Sequence, residues 1–155
     1  MNEITLKFEL INDGDSYEVS RGPKKAADVV GEIVIPANYD GKPVTAIANK
    51  GFFMCPNLSS VTIPENVEVI GDEAFGSCGS LENVIISDGV KTIGKSAFIY
   101  CRKLKSISIP DSVKSIGTNA FGFCEELSDV TLPKGIDGVT ADTFYKCKYK
   151  YKKEI

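Results

Sequence analysis

The sequence predicts a solenoid, predominantly β with short helical or 3-10 turns, entered through an N-terminal β-hairpin. Three observations lead there. The cysteines, at 55, 78, 101, 124 and 147, are all the cysteines in the chain, and every interval between them is 23 residues. Phenylalanines at 52, 75, 98, 121 and 144 keep the same interval. Finally, the stretches beginning at Leu58, Leu81, Leu104 and Leu127 align along their length, for example "LSSVTIPENVEVIGDEAFGSCGS" above "LENVIISDGVKTIGKSAFIYCRK". A unit of this length cannot bury its apolar face alone, so each coil must stack on its neighbours.

The elements follow in chain order. "ITLKFEL" alternates Ile4, Leu6, Phe8 and Leu10 with polar residues, "INDGDS" carries an Asp13-Gly14 turn and "YEVS" begins a return strand, so residues 1–29 read as a hairpin cap. Solenoid ends need such covering because open apolar faces and sheet edges invite association. Residues 30–147 hold five coils, the first with five extra residues at "NYDGK". Within a coil, "LSSVTIP" turns Leu58, Val61 and Ile63 inward and Ser60 and Thr62 outward on a short strand. "NVEVIG" supplies a second extended piece with Val67 and Ile70 inside, and the glycine at 71, 94 and 117 is expected at an unusual backbone angle. "EAFGSC" tucks Ala74, Phe75 and Cys78 inward on a helical or 3-10 turn. The repeat decays in the fifth coil, where Thr140 and Thr143 replace the glycine and alanine, and residues 148–155 form a C-terminal cap or tail.

At 155 residues the chain suits one domain. A hydrophobic fraction of 43% and a charged fraction of 25% describe a folding chain rather than a disordered one. The net charge of −3 gives no general affinity for nucleic acid or an anionic membrane. No apolar run approaches the roughly 18 residues of a spanning helix. "MNEITLKFEL" places Glu3, Lys7 and Glu9 where a signal peptide needs apolar residues. Either the protein stays inside the cell or a leader is missing.

With no histidine, the usual neutral-pH base and the Ser-His and Cys-His nucleophile pairs are missing. One enzymatic signature remains: "GVKTIGKS" matches the nucleotide-binding pattern G-x-x-x-x-G-K-[ST] through Gly89, Gly94, Lys95 and Ser96. The flanking coils read "NVEVIGDE" and "SVKSIGTN" at the same places, so Gly94 is the repeat glycine and Val90 and Ile93 are core positions. The long helix that follows a phosphate loop has no room before the next strand near Leu104. Coincidence within the repeat explains the match. The cysteine file reads as buried, unbridged thiols: in-register stacking points the Cα–Cβ bonds the same way, and a straight file cannot enclose a tetrahedral zinc.

The unit from "IVIPANYDGKPVT" to "IPENVEVIGDEAFGSC" resembles the BspA-like, or Treponema-type, leucine-rich repeats, whose form is LxxVxIPxxVxxIGxxAFxxC. The resemblance covers about residues 30–147. It implies a leucine-rich-repeat solenoid of the α/β superhelix class, and bacterial surface or secreted proteins active in adhesion and protein binding.

The strand face is then the expected binding surface, presenting Ser60, Thr62, Asn83, Ile85, Ser106, Ser108, Asp129 and Thr131, with Glu32 and Val34 from the first coil. A protein or glycan partner fits it, and the alternative is an architectural spacer without a ligand. A monomer is expected, no cofactor is implied, and no catalytic residue is assigned. Beside the strand face, Glu65, Asp88 and Asp111 form an acidic file of calcium-like composition in turns where short polar residues belong anyway. In the tail, lysines interleave with Tyr145, Tyr149 and Tyr151, a pattern able to stack bases but more common in soluble ends.

Overall fold

A computed structural model describes residues 5–152. The hairpin consists of β1 (Leu6–Ile11) and β2 (Ser16–Arg21), antiparallel, with Ile11 opposite Ser16. Asn12, Asp13 and Gly14 between them all have positive φ, the conformation that Asn, Asp and Gly tolerate most readily. Ile4 lies outside the described residues. Phe8 stacks on Tyr39 at 3.9 Å and meets Tyr17 edge-on at 6.2 Å, while Leu10 is exposed.

The first coil contains β3 (Val30–Val34), β4 (Asn38–Tyr39) and β5 (Lys42–Ile47). Its five extra residues form a small hairpin in which Tyr39 faces Lys42, turned by Asp40 and Gly41 at φ 46° and 76°. β6 (Asn57–Ile63) and β7 (Val69–Ile70) belong to the second coil, β8 (Asn83–Ile86) and β9 (Thr92–Ile93) to the third. β10 (Ser106–Ser108) and β11 (Ser115–Ile116) follow in the fourth, and β12 (Asp129–Thr131) in the fifth.

Each coil therefore has three sides. On one, β5, β7, β9 and β11 pair in parallel at the 23-residue offset, as in Ile70 beside Ile93, and β2 joins the same sheet through β5. The hairpin is thus built into the solenoid's own ladder, which covers the edge of the first coil. On the second side, β3, β6 and β8 form one parallel sheet and β10 and β12 another. The ladder is interrupted between β8 and β10. Val84 beside that interruption is only half-buried, whereas its equivalents Val61 and Ile107 are buried.

The third side consists of turns. Lys50, Glu73, Ser96 and Asn119 form one file of left-handed residues and Met54, Ser77, Tyr100, Phe123 and Lys146 a second, all with φ of 54–61°. None is glycine. Such angles disfavour side chains, but here they aim amide N–H groups along the stack: Glu73 donates to the Lys95 carbonyl at 2.9 Å, Phe75 to Ala97 at 2.8 Å and Ser77 to Ile99 at 2.7 Å. Three such hydrogen bonds in a row join each successive pair of the first four coils and two join the fourth to the fifth, in place of a helix, and burial of the phenylalanine between the two left-handed positions fixes the geometry. A 3-10 turn occurs in the decayed fifth coil, Ala141–Phe144, where Thr143 in the alanine file is buried and its hydroxyl accepts the Thr140 N–H at 3.1 Å.

The expectation for the repeat glycines needs correcting. Gly71, Gly94 and Gly117 do not have positive φ. A Cβ on any of the three would lie within 2.7 Å of backbone atoms of the preceding coil, so what these positions require is close approach of one chain turn to the next.

Inside, the phenylalanine file stacks as predicted. Ring centroids of Phe52, Phe75, Phe98 and Phe121 are 5.2–5.3 Å apart with planes within 9° of parallel, and Phe144 follows at 5.7 Å. The five cysteines are buried and unbridged. Their thiols have a definite polar role: Cys78, Cys101, Cys124 and Cys147 donate to the carbonyls of Phe52, Phe75, Phe98 and Phe121 at 3.0–3.3 Å. A neighbouring thiol and burial push the Cys78 and Cys147 thiols above the ordinary value, and burial does the same to Cys124. Protonated, enclosed sulfurs react poorly. Native protein at pH 8 is expected to leave these three unmodified by a disulfide reagent, with all five titrating in denaturant; rapid labelling of the folded chain would contradict the packing.

Candidate functional site

The strand face arises from period-two alternation held in register between coils. Glu32, Ser60 and Asn83 lie side by side across β3, β6 and β8, and Val34, Thr62 and Ile85 make a second row. Beyond the interruption, Ser106 pairs with Asp129 and Ser108 with Thr131. Asn83, Ile85, Ser106, Ser108, Asp129 and Thr131 are exposed, while Ser60 and Thr62 are half-buried because β6 has a strand on each side. Val34 is 61% and Ile85 58% exposed, two large apolar side chains on either side of Thr62.

The nucleotide-loop resemblance fails on geometry. A phosphate cradle needs unoccupied N–H groups converging on one point, yet those of this segment already donate within the protein. Gly89 N–H donates to the Ser112 hydroxyl at 3.1 Å, Gly94 to the Ile70 carbonyl at 2.8 Å, and Ser96 to the Thr118 carbonyl at 3.0 Å. Lys95 N–H donates to an Asp72 carboxylate oxygen at 2.8 Å, an anion where a phosphate would have to compete. The carboxylate belongs to the stacking scheme, since Asn49 accepts the Asp72 N–H in the same way one coil earlier, also at 2.8 Å. Ser96 is buried and left-handed.

Glu65, Asp88 and Asp111 line one open groove with Ser87, Ser108 and Thr131. They belong to no cluster among the described residues that could hold a metal ion. Nor is any buried side-chain nitrogen or oxygen among the described residues left without a hydrogen-bond partner.

Two surfaces escaped the alternation rule. On the turn side, the left-handed file places Tyr100 over Phe123 at 4.6 Å, nearly parallel, and Arg102 lies over Tyr100 at 5.6 Å. Its signal was present as the same 23-residue spacing at 54, 77, 100 and 123, but inward and outward positions on a turn do not alternate, so spacing alone leaves direction open. The second is the C-terminal end, where the Tyr149 N–H donates to the Leu127 carbonyl at 2.7 Å and its ring meets Phe144 edge-on at 4.9 Å. Tyr149 closes the phenylalanine file. Burial raises its phenol above the ordinary value. No described helix is long and apolar enough to cross a membrane.

Comparison with known proteins agrees with this geometry. The model of the BspA type leucine rich repeat region matches residues 33–153 with six copies. No curated protein matches the sequence. Among solved structures, the leucine rich repeat protein of Treponema pallidum superimposes with a TM-score of 0.84 at 31% identity, covering 93% of this chain and 66% of that one. A leucine-rich repeat protein from Bacteroides capillosus gives 0.70 at 31% identity, covering 84% and 96% respectively. The pneumococcal vaccine antigen PcpA gives 0.63 at 26% identity over 88% of this chain, which spans only 38% of that protein. With a family model over most of its length and the inward files of that repeat stacked coil on coil, the chain belongs to the BspA-type leucine-rich repeat family.

Proposed function

We propose that the chain is a non-catalytic interaction module of adhesion type that presents its strand face to a macromolecular partner, most simply a protein. Leucine-rich repeats of this kind commonly mediate protein interactions. One observation carries the reading: Val34 and Ile85, more than half exposed, stand on a rigid parallel sheet among short polar side chains. Apolar anchors surrounded by small groups that lose little rotamer freedom resemble the centre of a protein interface. Residues 1–29 act as the entry cap, residues 30–147 as the display scaffold and residues 148–155 as the closing segment. A cell-surface or secreted location accords with PcpA being a vaccine antigen, and a monomer suffices for display.

The test is substitution of Ile85, Ser106 and Ser108 by lysine together. All three are exposed, so the thermal midpoint should move by no more than a few degrees, about what surface changes cause. Capture of a partner from host cell-surface extracts on the immobilised chain is expected to disappear. Undiminished capture would remove the strand face from consideration. Absence of capture by the parent chain would favour the architectural reading.

A further inference from the structure

We propose that the C-terminal end of the solenoid is a separate binding site for a short acidic oligosaccharide, held by lysines around the rings of Tyr149 and Tyr151. Two adjoining cavities of 380 and 340 Å³ share those two tyrosines. Lys134 and Lys152 line the first, against the half-buried side chains of Leu132 and Ile136, and Lys146 and Lys150 line the second. Among the described residues no carboxylate lines either cavity. The other large grooves are different: one contains Glu9 and Glu18, another Glu65, Asp88 and Asp111.

The charge distribution is polarised in the same sense. Residues 133–152 hold five lysines and two aspartates, an excess of three positive charges on a chain whose net charge is −3. None of the five lysines forms an ion pair among the described residues. The Tyr149 ring is positioned before any ligand arrives, by the hydrogen bond of its N–H to the Leu127 carbonyl and its contact with Phe144, and Tyr151 is partly buried against the core. Lys150 is steadied by donation to the Cys147 carbonyl at 2.8 Å and keeps two further N–H groups for a ligand.

Aromatic faces carry partial negative charge and accept the polarised C–H groups of a sugar ring, while ammonium groups meet its carboxylates. A long polyanion fits less well, since the rest of the chain is correspondingly negative and supplies no track for a phosphate backbone. A peptide adding as a strand to β12 would meet the tail, which already uses the Leu127 carbonyl.

The experiment is titration calorimetry of the full chain with trigalacturonate at low salt, alongside neutral trigalactose, tetraglutamate and a short oligothymidylate. Trigalacturonate should bind, trigalactose should not, and the double variant Lys134→Ser, Lys152→Ser should weaken binding by about tenfold or more, the loss expected from roughly 1.4 kcal/mol. Both lysines are exposed, so the fold should persist. Substituting Lys103 and Lys105, also exposed but at the junction of the third and fourth coils, should leave affinity unchanged. Loss of binding in Tyr151→Ala with retention in Tyr151→Phe would support the ring contact. No heat with trigalacturonate, equal affinity for tetraglutamate or oligothymidylate, or indifference to the lysine pair would overturn the proposal. The residues are distinct from those of the strand face, so failure here leaves that reading intact.

Discussion

Phe98→Ala is expected to destabilise the protein by about 3–5 kcal/mol, the usual range for deleting a fully buried aromatic side chain. Phe98 is completely buried, with Phe75 and Phe121 each 5.3 Å away on its two faces. Its removal empties the centre of the stack and weakens the interfaces on both sides. Stability in a repeat array is close to a sum over coils and nearest-neighbour interfaces, so position along the stack determines the cost. Phe144 has one parallel neighbour, at 5.7 Å, and the edge of Tyr149 on its other side; Phe144→Ala should cost less. Urea denaturation followed by far-UV circular dichroism measures both. Equal losses would mean that the files do not transmit packing between coils.

Gly117→Ala should be strongly destabilising although it adds a single methyl group. Its added Cβ would fall among the backbone atoms of Gly94 and Lys95, and backbone, unlike a side chain, has no alternative rotamer. Overpacking costs typically about 1–3 kcal/mol, and the upper end or beyond is expected because relief requires two coils to separate along their hydrogen-bonded turns. Gly79→Ala is the control. Nothing lies within 4 Å of its added methyl and its φ is not positive, so the change should be within about 0.5 kcal/mol or slightly stabilising through the unfolded chain. Similar melting temperatures for the two variants would refute the close-approach account.

Half of the candidate site could be read in advance. Alternation along "LSSVTIP" placed Ser60 and Thr62 outside and Val61 and Ile63 inside, and the same rule carried to Asn83, Ile85, Ser106, Ser108, Asp129 and Thr131. It did not anticipate that Ser60 and Thr62 are partly covered, since coverage depends on strands in neighbouring coils. Nor did it locate the interruption between β8 and β10, beside which Ile85 stands. The lysine and tyrosine pattern of the tail was visible as composition, but which rings and ammonium groups share a cavity depends on how the tail crosses the last coil.

The sequence by itself determined the coil length, the five stacked phenylalanines and cysteines, the inward set of each strand and the hairpin at the entrance. A constant interval of 23 makes the residue one repeat away the spatial neighbour, so identity at that spacing already specifies who touches whom. Tertiary structure alone decided why the repeat glycine is needed, which residues take left-handed angles, what the thiols donate to and where the strand ladder breaks. Those outcomes depend on hydrogen bonds and van der Waals contacts between backbones of successive coils, and backbone atoms are the same in every residue, so side-chain periodicity carries little information about them.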